Sequence, residues 1–163
     1  MVRWLVSLLA LCIVGDARAE ERVDFRVVPS SASGFAAVKL WVPSRPATAK
    51  VYPAVVLLYG NQGALRDPAW LVGLGTRGGF RRRILIVPGL RDGYHWDREG
   101  TRRAVVGLVA QVARSYPVDR KRVFLVGHSA GGSRVIELAK AAPREFAGVV
   151  SVAGGVVAAH SGS

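Results

Sequence analysis

Apolar residues fall along this chain in two kinds of pattern, and the order of the patterns predicts a layered architecture. Four runs are apolar almost throughout: 54–58 (Ala-Val-Val-Leu-Leu), 84–87 (Ile-Leu-Ile-Val), 123–126 (Val-Phe-Leu-Val) and 148–152 (Gly-Val-Val-Ser-Val). Short runs without polar alternation suit strands covered on both faces, as in parallel sheets. Two earlier stretches are strand-like in another way. Residues 23–28 alternate as an edge strand does, and 35–42 end at Pro43 and a Ser-Arg-Pro turn. Helical spacing is found in 101–115, where Val105, Leu108, Val109 and Val112 share a face. It recurs after Gly132, where Val135, Leu138, Ala139 and Ala142 do the same, and 68–74 reads as a short helical stretch. Strands alternating with helices predict an α/β fold: a doubly wound, mostly parallel sheet of about six strands with helices on both faces. Sites in such sheets lie at the carboxyl ends of the strands.

The first 19 residues stand outside this pattern. Arg3 makes a short basic start, 4–14 are apolar, and Ala17-Arg18-Ala19 forms an A-x-A cleavage site before Glu20. This is the layout of a secretory signal peptide, too short to span a bilayer. Cys12 does not mark a lipid anchor, because Leu11 stands where a small residue is needed. The expectation is a signal peptide over 1–19, cleaved before Glu20, and one exported domain over 20–163, periplasmic or secreted, with no transmembrane segment. Cys12 is the chain's one cysteine, so the mature domain has no disulfide and no thiol chemistry.

Charge changes the picture less than its size suggests. Formal net charge is +12, and 19 of the 23 basic residues are arginine. They are scattered, with one run at Arg81-Arg82-Arg83 before an apolar strand, rather than gathered on one element with aromatic platforms. Specific nucleic-acid binding is not expected; a solvated surface with some affinity for anionic polymers is.

The chemistry gathers where the run 123–126 ends. Gly127-His128-Ser129-Ala130-Gly131 fits G-x-S-x-G between a strand and a helix, the context in which a strained turn holds a serine hydroxyl at its tip. Gly127 and Gly131 allow strand and helix to approach closely. A second stretch, Gly73 to Gly78, matches G-x-G-x-x-G. It follows a helical stretch and leads into a strand, the reverse of a dinucleotide fingerprint, so no cofactor is expected. The loop from Arg91 to Glu99 surrounds His95 with carboxylates at no strong metal spacing, so no metal is expected. It reads as a polar loop above the sheet, lining a cleft with Tyr94 and Trp96.

The stretches 116–132 and 142–155 resemble the α/β-hydrolase superfamily. Within it, the region 35–155 is similar to secreted esterases of the polyhydroxybutyrate-depolymerase and feruloyl-esterase type, with the prolyl-oligopeptidase-like branch as the nearest alternative. The resemblance implies Ser129 as nucleophile of a carboxylic-ester hydrolase acting on a small-molecule or polymer ester. It also implies an oxyanion hole formed by the backbone N–H groups of Ala130 and of Asn61 (or Gln62). The family usually has His-Gly where this chain has Tyr59-Gly60.

The chain departs from the family at its end. A serine hydrolase of this fold needs an acid and then a histidine after the serine, following the seventh and eighth strands. This chain stops just beyond the sixth, and 151–163 hold no Asp or Glu. Asp119, Glu137 and Glu145 are expected away from Ser129, with Asp119 capping a turn or pairing with Arg122. His160 is the candidate base; His95 is a weaker one, and the His128 side chain belongs to the elbow and points away. The chain thus reads as the C-terminally incomplete first two-thirds of a hydrolase, inactive as it stands for want of acid and base. The alternatives are a prolyl-oligopeptidase-like peptidase or a non-catalytic remnant that binds esters or envelope polymers. Its last strand would leave an apolar edge open to self-association.

Overall fold

Six strands, β1 (Val23–Pro29), β2 (Phe35–Pro43), β3 (Tyr52–Leu58), β4 (Ile84–Leu90), β5 (Val118–His128) and β6 (Gly148–Val152), pair into one sheet in the order β1-β2-β4-β3-β5-β6. Helix α1 (Thr101–Ser115) joins β4 to β5, and α2 (Ala130–Ala141) joins β5 to β6. The computed structural model describes residues 23–30, 34–43, 51–60, 82–90, 96 and 100–155. The expected signal peptide and the helical stretch at 68–74 lie outside them.

Strand β2 runs antiparallel to both its neighbours, β1 and β4, while β4, β3, β5 and β6 are mutually parallel. The sheet is therefore mostly parallel, as the continuous apolar runs require. Its three central strands run in step, with Ala54 between Ile84 and Val123, and Val56 between Ile86 and Leu125. All six residues are buried. The chain steps from β3 to β4 in one direction, then through β5 and β6 in the other, which is what makes the sheet doubly wound. Right-handed crossovers place α1 and α2 on the same face. Residues 61–81, between β3 and β4, lie outside the described residues.

Helix α1 covers its predicted residues. It buries Thr101, Ala104, Val105, Leu108, Val109 and Val112 and turns Arg102, Arg103 and Arg114 to solvent. Gly100 opens it at φ 94°, a left-handed conformation that glycine takes without steric cost, and its carbonyl accepts the Ala104 N–H. Two boundaries differ from expectation. Helix α2 starts at Ala130, directly after Ser129, rather than after Gly132. Strand β5 begins at Val118, because Val118 pairs with Tyr52 ahead of the polar residues 119–122.

Those polar residues give the sheet a charged end. Arg82 and Arg83 lead into β4, Arg120, Lys121 and Arg122 occupy the first half of β5, and Arg144 precedes β6, all exposed. Each lies toward the amino-terminal ends of the parallel strands. Asp119 stands among them as expected: its carboxylate accepts the Arg122 Nε–H at 2.6 Å and the Lys121 N–H at 3.0 Å. The hydrogen bond from Arg122 holds that carboxyl below the usual range. At the sheet's flank, β6 pairs with β5 and exposes Val149, Val150 and Val152. No helix among the described residues is long and apolar enough to cross a membrane.

Candidate active site

Strands β3 and β5 end side by side, with Leu57 opposite Val126 and Leu58 opposite Gly127, so the residues that follow each strand meet. On β5 these are His128 and Ser129. Ser129 sits at φ 56°, ψ −123°, a conformation unfavourable for any residue with a β-carbon and costing about 1–3 kcal/mol. Two hydrogen bonds hold it there: its N–H donates to the Val152 carbonyl at 2.9 Å, and its carbonyl accepts the Ser133 N–H at 3.1 Å. Serine commonly caps a helix with its hydroxyl. Here the side chain makes no capping bond, and the residue is exposed at the tip of the turn. The N–H groups of Ala130, Gly131 and Gly132 precede the first intrahelical bond, and they carry the positive end of the α2 dipole beside the hydroxyl.

Close backbone contacts explain the glycines. A β-carbon on Gly127 would lie 2.2 Å from the Gly131 carbonyl oxygen, and one on Gly131 would lie 2.2 Å from that of Leu58. The expected close approach of strand and helix is present. A further contact was not legible in the sequence: a β-carbon on Gly154 would lie 2.4 Å from the Gly132 carbonyl carbon. The turn after β6, where Ala153 has φ 51°, thus packs directly on the start of α2. A glycine after a strand was its one sequence signal.

From β3 come Tyr59 and Gly60. A β-carbon on Gly60 would lie 3.2 Å from Ser129 Cβ and 3.5 Å from its Oγ, so bare backbone stands against the serine. The Tyr59 ring turns into the core. Its hydroxyl accepts the Leu90 N–H at 3.0 Å, and its carbonyl accepts the Trp96 indole N–H. The Tyr59 and Trp96 rings meet edge to face at 5.6 Å, and the Trp96 carbonyl accepts the Thr101 hydroxyl at 3.0 Å. Burial pushes the Tyr59 phenol above its ordinary value, partly offset by the bond from Leu90. The expectation that Trp96 lines a cleft is corrected. It is 1% exposed and packed between Tyr59 and Phe35, because its one polar atom is satisfied by Tyr59 inside the core.

Other predicted site residues divide. Asn61, Gln62, Tyr94, His95 and His160 lie outside the described residues. His128 is half-buried. Glu137 pairs with Arg134 along α2, and Glu145 sits in the turn after α2, at the opposite end of the sheet from Ser129. With Asp119 near the start of β5, no carboxylate among the described residues stands beside Ser129. Nor do three potential metal ligands cluster among them.

No protein-family model matches the sequence, and no curated protein does. Solved structures do. An S-formylglutathione hydrolase (FrmB) from Staphylococcus aureus superimposes with TM-score 0.65 at 15% identity, over 85% of this chain and 61% of that one. The fluorophosphonate-binding serine hydrolase FphF of the same organism gives 0.62 at 15% identity, over 81% and 57%. A thermostable esterase gives 0.59 at 19% identity, over 82% and 41%. The chain therefore spans between 41% and 61% of the length of these structures. Strand order, the reversed β2, the strained serine between β5 and α2, and these neighbours converge on one architecture: the chain has the α/β-hydrolase fold.

Proposed function

We propose that the chain is the framework of an exported serine hydrolase acting on carboxylic esters, with Ser129 as nucleophile. The observation that carries this reading is the backbone of Ser129: an exposed residue held at a costly φ and ψ, its side chain committed to no capping bond. Ser129 Oγ attacks the ester carbonyl carbon as its proton passes to a base, for which His160 is the candidate. The resulting oxyanion accepts hydrogen bonds from the Ala130 N–H and from the loop after Gly60, at Asn61. Collapse expels the alcohol and leaves an acyl-serine, which water hydrolyses. The esterase neighbours favour esters over peptides, and both small-molecule and polymer esters are compatible with the exposed tip. The carboxylate that orients the base is to be sought outside the described residues.

A fluorophosphonate probe tests the assignment. The expected result is labelling of the wild-type chain and none of Ser129→Ala. An unlabelled wild type, or a labelled variant, would favour a non-catalytic ester-binding remnant. If His160 is the base, p-nitrophenyl ester turnover falls to background in His160→Ala. Export is part of the same proposal, and N-terminal sequencing of the mature protein should read from Glu20; Met1 retained would overturn it. So is self-association through the exposed valines of β6.

A further inference from the structure

We infer that Tyr59 and Trp96 form a brace whose purpose is to set the position of the Gly60 backbone against Ser129; both are positioning residues, and the inference rests on Ser129 as the reactive group. Three buried polar links run in series from one strand end, two of them on Tyr59 and the third on Trp96. The Leu90 N–H donates to the Tyr59 hydroxyl, the Trp96 indole N–H to the Tyr59 carbonyl, and the Thr101 hydroxyl to the Trp96 carbonyl. They tie the end of β3 to the end of β4 and, through Trp96, to the first residue of α1. Tyr59, Trp96 and Thr101 are all at most 5% exposed. Bonds shielded from water in this way hold geometry more firmly than surface contacts.

The position of the brace gives it its role. Tyr59 immediately precedes Gly60, and Gly60 touches the serine on its β-carbon side. The Tyr59 carbonyl faces two ways at once: it accepts the indole N–H and lies within 2.8 Å of where a Gly131 β-carbon would stand. A shift of the Tyr59 peptide therefore moves the loop relative both to Ser129 and to the start of α2. Packing alone would need an apolar residue at 59. A tyrosine bonded at both its hydroxyl and its carbonyl fixes the direction of the next peptide as well as the depth of the ring.

Three single changes each remove one link: Tyr59→Phe and Thr101→Val keep the side chain's shape, and Trp96→Phe removes the indole N–H together with part of the ring's buried volume. Leu108→Val, buried in α1 away from the brace, serves as a control of comparable destabilisation. Amide hydrogen exchange over Leu58–Gly60 and the fluorophosphonate labelling rate are measured on the full chain, with the thermal midpoint alongside. Trp96→Phe, which frees the peptide next to Gly60, should speed exchange at Tyr59–Gly60 about tenfold. It should slow labelling by about tenfold to a hundredfold, since a displacement of about 1 Å at a reacting centre has that effect. Tyr59→Phe and Thr101→Val should show the same pattern to a smaller extent, and Leu108→Val should stay within about twofold of wild type in both. Exchange unchanged in Trp96→Phe, or labelling that follows the thermal midpoint alike in all four variants, overturns the brace. A wild type that is never labelled but shows the exchange pattern overturns the role of Ser129 and leaves the brace standing.

Discussion

Gly60 and Gly131 are both glycines at the serine, yet the structure assigns them different tolerances. At Gly131 an added methyl meets the Leu58 carbonyl at 2.2 Å, a fixed backbone atom with no room to give. Gly131→Ala should destabilise by about 3 kcal/mol or more, at the upper end of overpacking costs, and a urea denaturation series will show it. At Gly60 the added methyl meets Ser129 at 3.2 Å, which a few tenths of an ångström relieve. Gly60→Ala should fold with a denaturation midpoint close to wild type while its fluorophosphonate labelling slows by about tenfold or more, because the methyl crowds the approach to Oγ. If Gly60→Ala unfolds the chain, or labels at the wild-type rate, the contact is not where the structure places it. Tyr59 supports a separate expectation. Its folded value stands above the ordinary 10.0, so the stability linked to its neutral phenol is complete below that pH and lost as pH rises through the folded value. Wild type should therefore lose stability more steeply than Tyr59→Phe as pH rises above about 10, and equal slopes would count against it.

Elements differed in how far the sequence revealed them, and the reasons are physical. Helix α1 and strand β6 match their predicted bounds because each is a pure case, one an amphipathic period and the other a nearly unbroken apolar run. The start of α2 was misplaced because Gly131 and Gly132 are poor helix formers that read as a turn, whereas close packing on Leu58 and Gly154 requires them inside the helix. The first half of β5 was missed because its residues 119–122 are polar, and only the pairing of Val118 with Tyr52 makes them strand. The elbow was legible, since strand, serine and helix are local in sequence. The brace was not, because Tyr59 and Trp96 are 37 residues apart and Trp96 sits in a polar stretch. Strand β6 carries the prediction proper to this scale. Val149, Val150 and Val152 are 41%, 55% and 44% exposed, and apolar edges of that kind recruit other strands. Static light scattering should show concentration-dependent association of the wild type, reduced in Val150→Lys; a monomer at all concentrations would remove self-association from the proposal.

At the scale of the whole molecule, the basic cluster and the strained serine occupy opposite ends of one sheet. Ser129 stands after the last residue of β5, while Arg120, Lys121 and Arg122 lie in its first half, so at the rise of a strand about 20 Å or more separates them. With a net charge of +12, adsorption to an anionic resin should be strong at low ionic strength and fall steeply as salt shortens the screening length. Neutralising Arg82, Arg83, Arg120, Lys121 and Arg122 together should lower the eluting salt more than removing five basic residues elsewhere, and equal shifts would mean that total charge alone decides. The same geometry acts as a handle. A chain held on a negatively charged support by its arginine end presents the serine outward, away from the surface. Immobilisation on such a support should then leave Ser129 open to reagents in solution, whereas random chemical coupling would hide it in a share of the molecules.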